Sequence, residues 1–160
     1  MKRILKISIL PVLLLLLTGY VYFNNYESKS LTANSFTRKM KKLDFKIDNT
    51  IKNYKKNKNI IYAYQAKESK DKYAIEFLEF TSVKTAINYF TKEKNQLNNA
   101  NDKDSVFNYT VIDDKEKYSI NTGDNHYIVM TRSDNTILKY NIDSKYSEEV
   151  IKLTEEQLGY

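Results

Sequence analysis

The sequence predicts an α+β domain behind an N-terminal membrane anchor, with an antiparallel sheet of about six to seven strands packed with about three helices. Three observations carry that expectation. Apolar residues alternate at period two in a series of short runs, recur at helical spacing in others, and form one nearly unbroken leader. With 3 Gly and 1 Pro in 160 residues, the chain favours long regular elements over a loop-built scaffold. With 14 Tyr and 7 Phe, it carries too much aromatic surface for a disordered chain.

The leader comes first. Lys2, Arg3 and Lys6 precede an apolar stretch from Ile7 to Phe23. Counted from Ile4, about 20 residues at about 1.5 Å each span about 30 Å, enough to cross a bilayer. Basic residues stay cytoplasmic, so Asn24 onward is expected outside. The expected organisation is an anchor over 1–23, a polar tether over 24–30 and one extracytoplasmic domain over 31–160. Ser28-Lys29-Ser30 has the small-residue spacing of a signal-peptidase site, and cleavage there would instead release a secreted soluble protein.

Leu17-Thr18-Gly19-Tyr20 closes the apolar run and resembles the lipobox of bacterial lipoproteins, with Tyr20 at the position of the lipidated Cys. Without a thiol no diacylglyceryl group can be attached. The resemblance implies a lipoprotein-type signal that serves as an uncleaved span.

Past the tether, Thr32 reads as a helix N-cap with Leu31 and Phe36 as a hydrophobic staple, and Phe36, Met40 and Leu43 share one helical face. Phe45 and Ile47 make a short strand, and Asp48 to Asn59 a polar connection. Ile60, Tyr62 and Tyr64 are expected on one strand face and Tyr73, Ile75 and Phe77 on another, paired as a hairpin through Lys67 to Lys72. Thr81 or Ser82 caps a second helix whose apolar face is read as Val83, Ala86, Ile87, Phe90 and Leu97. Asn98 to Ser105 reads as a loop.

Alternating runs follow at Phe107, Tyr109, Val111; at Tyr118, Ile120; at Tyr127, Val129; and at Leu138, Tyr140, Ile142. Turns at Thr122-Gly123-Asp124-Asn125 and Ser133-Asp134-Asn135 make the last three a meander. Asp143 or Ser144 caps a final helix that Gly159 closes, with Glu148 and Glu149 in its first turns, where carboxylates suit the dipole. The element order αβββ, αββββ, α has two halves alike in order. The export signal, the Leu31-Thr32-Ala33 helix start, the aromatic hairpin and the terminal Leu158-Gly159-Tyr160 together resemble small uncharacterised envelope proteins of Gram-positive bacteria. That resemblance implies an envelope location and brings no activity with it.

The chemistry available is narrow. The absence of Cys removes disulfides, thiolate metal sites and cysteine nucleophiles together. His126 is the sole imidazole, expected in a plain surface or edge role. Asp102, Asp104, Asp113 and Asp114 cluster in sequence and would serve a carboxylate-dependent hydrolase of envelope carbohydrate only by converging on a cleft. Asp102-Lys103-Asp104 lacks the Gly and closing Glu of a calcium loop, and no phosphate loop or dinucleotide fingerprint occurs. No catalytic residue, metal or cofactor is therefore expected. Tyr62, Tyr64, Tyr73, Phe77 and Phe80 are read as core, with a stacking face for sugar or peptide as the rival.

Charge is more informative. From Arg38 to Lys58 the chain carries nine basic and two acidic residues, a net +7, whereas 59–160 carries 13 basic and 17 acidic, a net −4. Arg38, Lys39, Lys41, Lys42, Lys52, Lys55, Lys56 and Lys58 are thus candidates for an anionic lipid or wall polymer, since each cation at an anionic surface is worth about 1 kcal/mol. A solvated helix face plus a polar loop is the plainer reading. Nucleic acid is not expected of an outward-facing domain without a recognition motif. The function expected is a membrane-anchored extracytoplasmic binding or accessory module of the cell envelope.

Overall fold

A computed structural model describes residues 31–100 and 104–160. The expectations for the anchor, the tether, the lipobox-like turn and Asp102 lie outside the described residues. Among the described residues no helix is long and apolar enough to cross a membrane.

The elements run α1 (Ala33–Lys42), β1 (Lys46–Asn49), a 3₁₀ turn (Ile51–Tyr54), β2 (Ile60–Lys67), β3 (Ala74–Phe80) and α2 (Val83–Ala100). They continue with β4 (Val106–Ile112), β5 (Lys115–Asn121), β6 (His126–Ser133), β7 (Thr136–Asp143), a 3₁₀ turn (Ser144–Tyr146), α3 (Ser147–Lys152) and a π-helical turn (Leu153–Leu158). All seven strands form one antiparallel sheet in the order β1-β2-β3-β7-β6-β5-β4. The α+β class and the element order follow the sequence. Two meanders, β1-β2-β3 and β4-β5-β6-β7, meet where β3 pairs with β7.

Both faces of the sheet are covered, because alternate residues on β3 and β7 are apolar on each side. One face carries Ile75, Phe77, Leu138 and Tyr140, and α1 with the C-terminal helix seals it through Phe36, Met40, Val150 and Leu158. Phe36 stacks on Phe77 with ring centroids 4.8 Å apart and planes 14° from parallel. Thr32 caps α1 by accepting the Ser35 N–H. The helix has no acid in its first turn, and Glu79 of β3 supplies one, Oε2 accepting the Ala33 N–H at 2.8 Å. The other face carries Leu78, Phe80, Tyr118, Ile120, Met130 and Ile137 beneath Ala86 and Phe90 of α2. The two halves are alike in element order, but their helices α1 and α2 cover opposite faces.

With few glycines, the tight turns use Asp and Asn. Asp44, Asp71, Asp113, Asn125 and Asp134 all have positive φ, which these short polar side chains tolerate by bonding locally. Arg132 locks two of the hairpin turns together. Its Nε donates to Glu116 Oε1 at 2.7 Å, Nη1 to the Asp134 carbonyl and Nη2 to the Asp114 carbonyl.

Three expectations need correction. A bulge between Ile60 and Tyr62 turns Ile60 to the α2 face, while Tyr62 and Tyr64 stay on the α1 face. The buried face of α2 is rotated from the apolar reading: Val83 and Ile87 are exposed, and Tyr89 and Glu93 turn inward beside Ala86 and Phe90. The helix α2 also runs on to Ala100, into the loop expected from Asn98. The run at Phe107 does form a strand, β4, and every residue of it is exposed.

Replacing Phe36 with Ala should cost about 3–5 kcal/mol, because a fully buried ring stacked on Phe77 would leave a cavity between α1 and the sheet. Urea denaturation of the wild type and the variant measures it. A loss below 1 kcal/mol would mean that α1 does not close that face.

Candidate functional site

β7 is the fourth of seven strands, so its side chains lie at the middle of the sheet. One of them on the α2 face is Lys139, placed opposite Glu76 of β3 and Met130 of β6. An ammonium there loses much of its water and must be paired. Lys139 Nζ lies 3.2 Å from Glu76 Oε2 and 3.9 Å from Glu93 Oε2, and donates to the Tyr89 hydroxyl at 3.3 Å. It also sits 5.7 Å from the centre of the Tyr54 ring. Tyr54 donates to the second Glu76 oxygen at 2.6 Å, so each oxygen of that carboxylate has a partner.

Local sequence explains each position. Asn49 Oδ1 accepts the Ile51 N–H and starts the 3₁₀ turn that delivers Tyr54. Tyr89 and Glu93 are four apart on α2, one turn above the other on the inward face. Glu76 and Lys139 are cross-strand neighbours at the seam between the meanders.

Burial alone would lower the Lys139 pKa, but Glu76 first, then Tyr89, Tyr54 and Glu93, outweigh it and hold the ammonium above the ordinary lysine range. Burial pushes the phenols of Tyr54, Tyr73, Tyr140 and Tyr160 up as well, with carboxylate hydrogen bonds adding to the effect at Tyr54 and Tyr73. All these groups have raised folded-state values. Their contribution is complete below the unfolded values near about 10 and is lost as pH rises through the folded ones.

Beside this cluster a cleft of about 320 Å³ opens between the C-terminal half of α2 and strands β2, β3, β7 and β6. Its polar wall is Glu76, Lys139, Glu93, Gln65 and Asn141, and its apolar wall is Leu97, Ile128 and Met130. That size lies at the lower end of small-molecule pockets, and a mixed lining with a few fixed polar groups suits a small oriented ligand. Two carboxylates share one ammonium, so the wall keeps a net negative charge. Glu93, the longer contact at 3.9 Å, keeps the most acceptor capacity for an incoming donor. Asn141 stands at the rim, where its Oδ1 lies 3.2 Å from His126 Nδ1.

The residues singled out from sequence lie elsewhere. Arg38, Lys39, Lys41 and Lys42 are on α1, against one face of the sheet, while Lys52, Lys55, Lys56 and Lys58 are on and after the 3₁₀ turn against the other. They flank the β1 edge from both sides and leave the cleft to other residues. All but Lys39 are exposed, and Lys39 Nζ donates to the Gln157 carbonyl at 2.7 Å. The three candidate acids among the described residues do not converge: Asp104 precedes β4 and Asp113 and Asp114 follow it, separated by a strand of about 20 Å. His126 is exposed at the start of β6, an interior strand of the sheet. Of the aromatic group, Tyr73, Phe77 and Phe80 are core, Tyr64 is half-buried and Tyr62 is exposed.

The cluster of Tyr54, Glu76, Tyr89, Glu93 and Lys139 escaped the sequence reading. One signal was present: Glu76 and Lys139 are charges in the middle of two strands that carry apolar residues on both parities. No protein-family model matches this chain, and no curated protein or solved structure matches it either.

Lys139→Met should destabilise the fold by about 2 kcal/mol, since it leaves Glu76 and Glu93 facing each other without their cation. Adding Glu76→Gln should recover most of that loss, and equal losses in the single and double variants would show that the pair is not coupled. In an alkaline titration, stability should fall from about pH 10. The phenolate absorbance of the buried tyrosines should then appear together with unfolding; its full appearance in the folded state would contradict their burial.

Proposed function

We propose that this chain is a non-enzymatic binding module, held at the outer face of a bacterial cell membrane by residues 4–23, and that its ligand enters the cleft beneath α2. The carrying observation is the arrangement of two carboxylates around one ammonium at the sheet centre, with Glu93 the looser partner. Such a wall favours a small ligand rich in hydrogen-bond donors and carrying positive charge, of which an amino sugar is the simplest envelope example. Gln65 and Asn141 offer amides to hydroxyl groups, and Leu97, Ile128 and Met130 offer an apolar floor to a ring face.

The leader supports the location. Seven tether residues reach at most about 25 Å, which keeps α1 close to the bilayer. The Arg38 to Lys58 cations, all but Lys39 exposed around the β1 edge, are then the part of the domain that meets anionic headgroups or wall polymers. Neutralising Lys52, Lys55, Lys56 and Lys58 should release liposome binding that depends on this edge.

Glucosamine and glucose titrated by calorimetry into the full-length protein test the cleft. Glucosamine should bind at least tenfold more tightly than glucose, and Glu93→Gln should abolish the difference. Equal binding of the two sugars, or no effect of Glu93→Gln, would remove this reading. Protease treatment of intact cells expressing a C-terminally tagged chain tests the location. A full-length, membrane-bound product digested from outside is expected, whereas a shorter soluble product would mean that the leader is cleaved.

A further inference from the structure

The sheet has two edges, and they are finished differently. β1 is four residues long, carries Lys46 and Asp48, and is flanked by the basic α1 and 3₁₀ turn. Asp48 is tied to Lys67 at 3.1 Å. Short, charged edges resist pairing with another chain. β4, at the other edge, is seven residues long and exposed throughout, and from Val106 to Ile112 it contains no charge and no proline. Val106, Phe107, Tyr109, Val111 and Ile112 are 60%, 40%, 48%, 55% and 65% exposed.

We propose that β4 pairs antiparallel with β4 of a second copy of this chain, about a twofold axis at Tyr109. The strand is self-complementary about that residue. Val106 falls opposite Ile112, Phe107 opposite Val111 and Asn108 opposite Thr110, so apolar meets apolar and amide meets hydroxyl in every pair. Tyr109 is already held for the role: its hydroxyl donates to Glu116 Oε2 at 2.6 Å, and Lys94 Nζ lies 4.0 Å from its ring centre.

Strand side chains stand roughly perpendicular to the sheet, so edge pairing covers the backbone edge and the flanks of these five side chains and leaves their outer faces open. The contact is smaller than a standard specific interface. Association is therefore weak in free solution and stronger when copies share one surface.

The chain has no cysteine, so single introduced thiols report the register directly. Directly opposed residues of an antiparallel pair have Cα atoms about 4.5–5.5 Å apart, within disulfide range. With the full-length protein in detergent, Tyr109→Cys should oxidise to a dimer. A mixture of Asn108→Cys and Thr110→Cys should give a mixed disulfide at least fivefold above either alone. Ile61→Cys, exposed on β2, should stay monomeric, and sedimentation of the cysteine-free protein should show a dimer that strengthens with protein concentration. Cross-linking equal at 61 and 109, no preference for the 108–110 mixture, or a monomer at all concentrations would each overturn the proposal.

Discussion

The pairing of β3 with β7 is the constraint on which the remaining structure rests. The two meanders are each built from local hairpins, and this seam alone joins them into one sheet. Its register runs Glu76 with Lys139, Phe77 with Leu138, Leu78 with Ile137 and Glu79 with Thr136. The two inner pairs point to opposite faces and anchor both cores. The outer pairs are polar and each recruits a further element. Glu79 receives the N-terminus of α1, Thr136 bonds the Tyr160 hydroxyl of the C-terminal segment, and Glu76 with Lys139 gathers Tyr54 and the inward face of α2. A slip of one residue would exchange the faces of every side chain and separate all these partners.

A charge cluster at the middle of a sheet is an expensive place for ions, because desolvation offsets much of the attraction between them. Replacing the whole cluster at once by well-packed apolar residues would serve stability as well, whereas removing one partner would not. What the cluster adds is geometry: carboxylates held at fixed positions beside an open cleft, with an ammonium to orient them. That is the physical content of the proposed binding site. The three surfaces of the domain then divide the work by position. In the proposed reading the basic β1 edge faces anionic material near the anchor, the cleft takes a small donor-rich ligand, and the uncharged β4 edge meets a second copy.

Much of the fold was legible in the sequence, because the signals were local. The N-cap at Thr32, the Asp143 cap, the hairpin turns and the closing Gly159 each act within a few residues. Period-two alternation located all the strands. It could not tell which strands are covered: the run at Phe107 alternates like the others, yet every residue of β4 is exposed. The bulge at Ile60 escaped because a single inserted residue leaves the composition unchanged. The site was illegible for a related reason. Tyr89 and Glu93 read as the polar side of α2 until Lys139 is known to lie beneath them, and those contacts join residues 50 and 46 apart in the chain. The basic run drew attention because it is contiguous, whereas the cleft is assembled from five separate elements.

Native-state hydrogen exchange tests the central role of the seam most directly. The amides of Phe77, Leu78, Ile137 and Leu138 should exchange only through global unfolding, with opening free energies equal to the stability measured by denaturant. Slower opening at the seam than at the hairpins of either meander is the result this account predicts. If the seam amides exchange well below the global value while β5 and β6 remain protected, the two meanders open independently, and the β3–β7 pairing does not organise the fold.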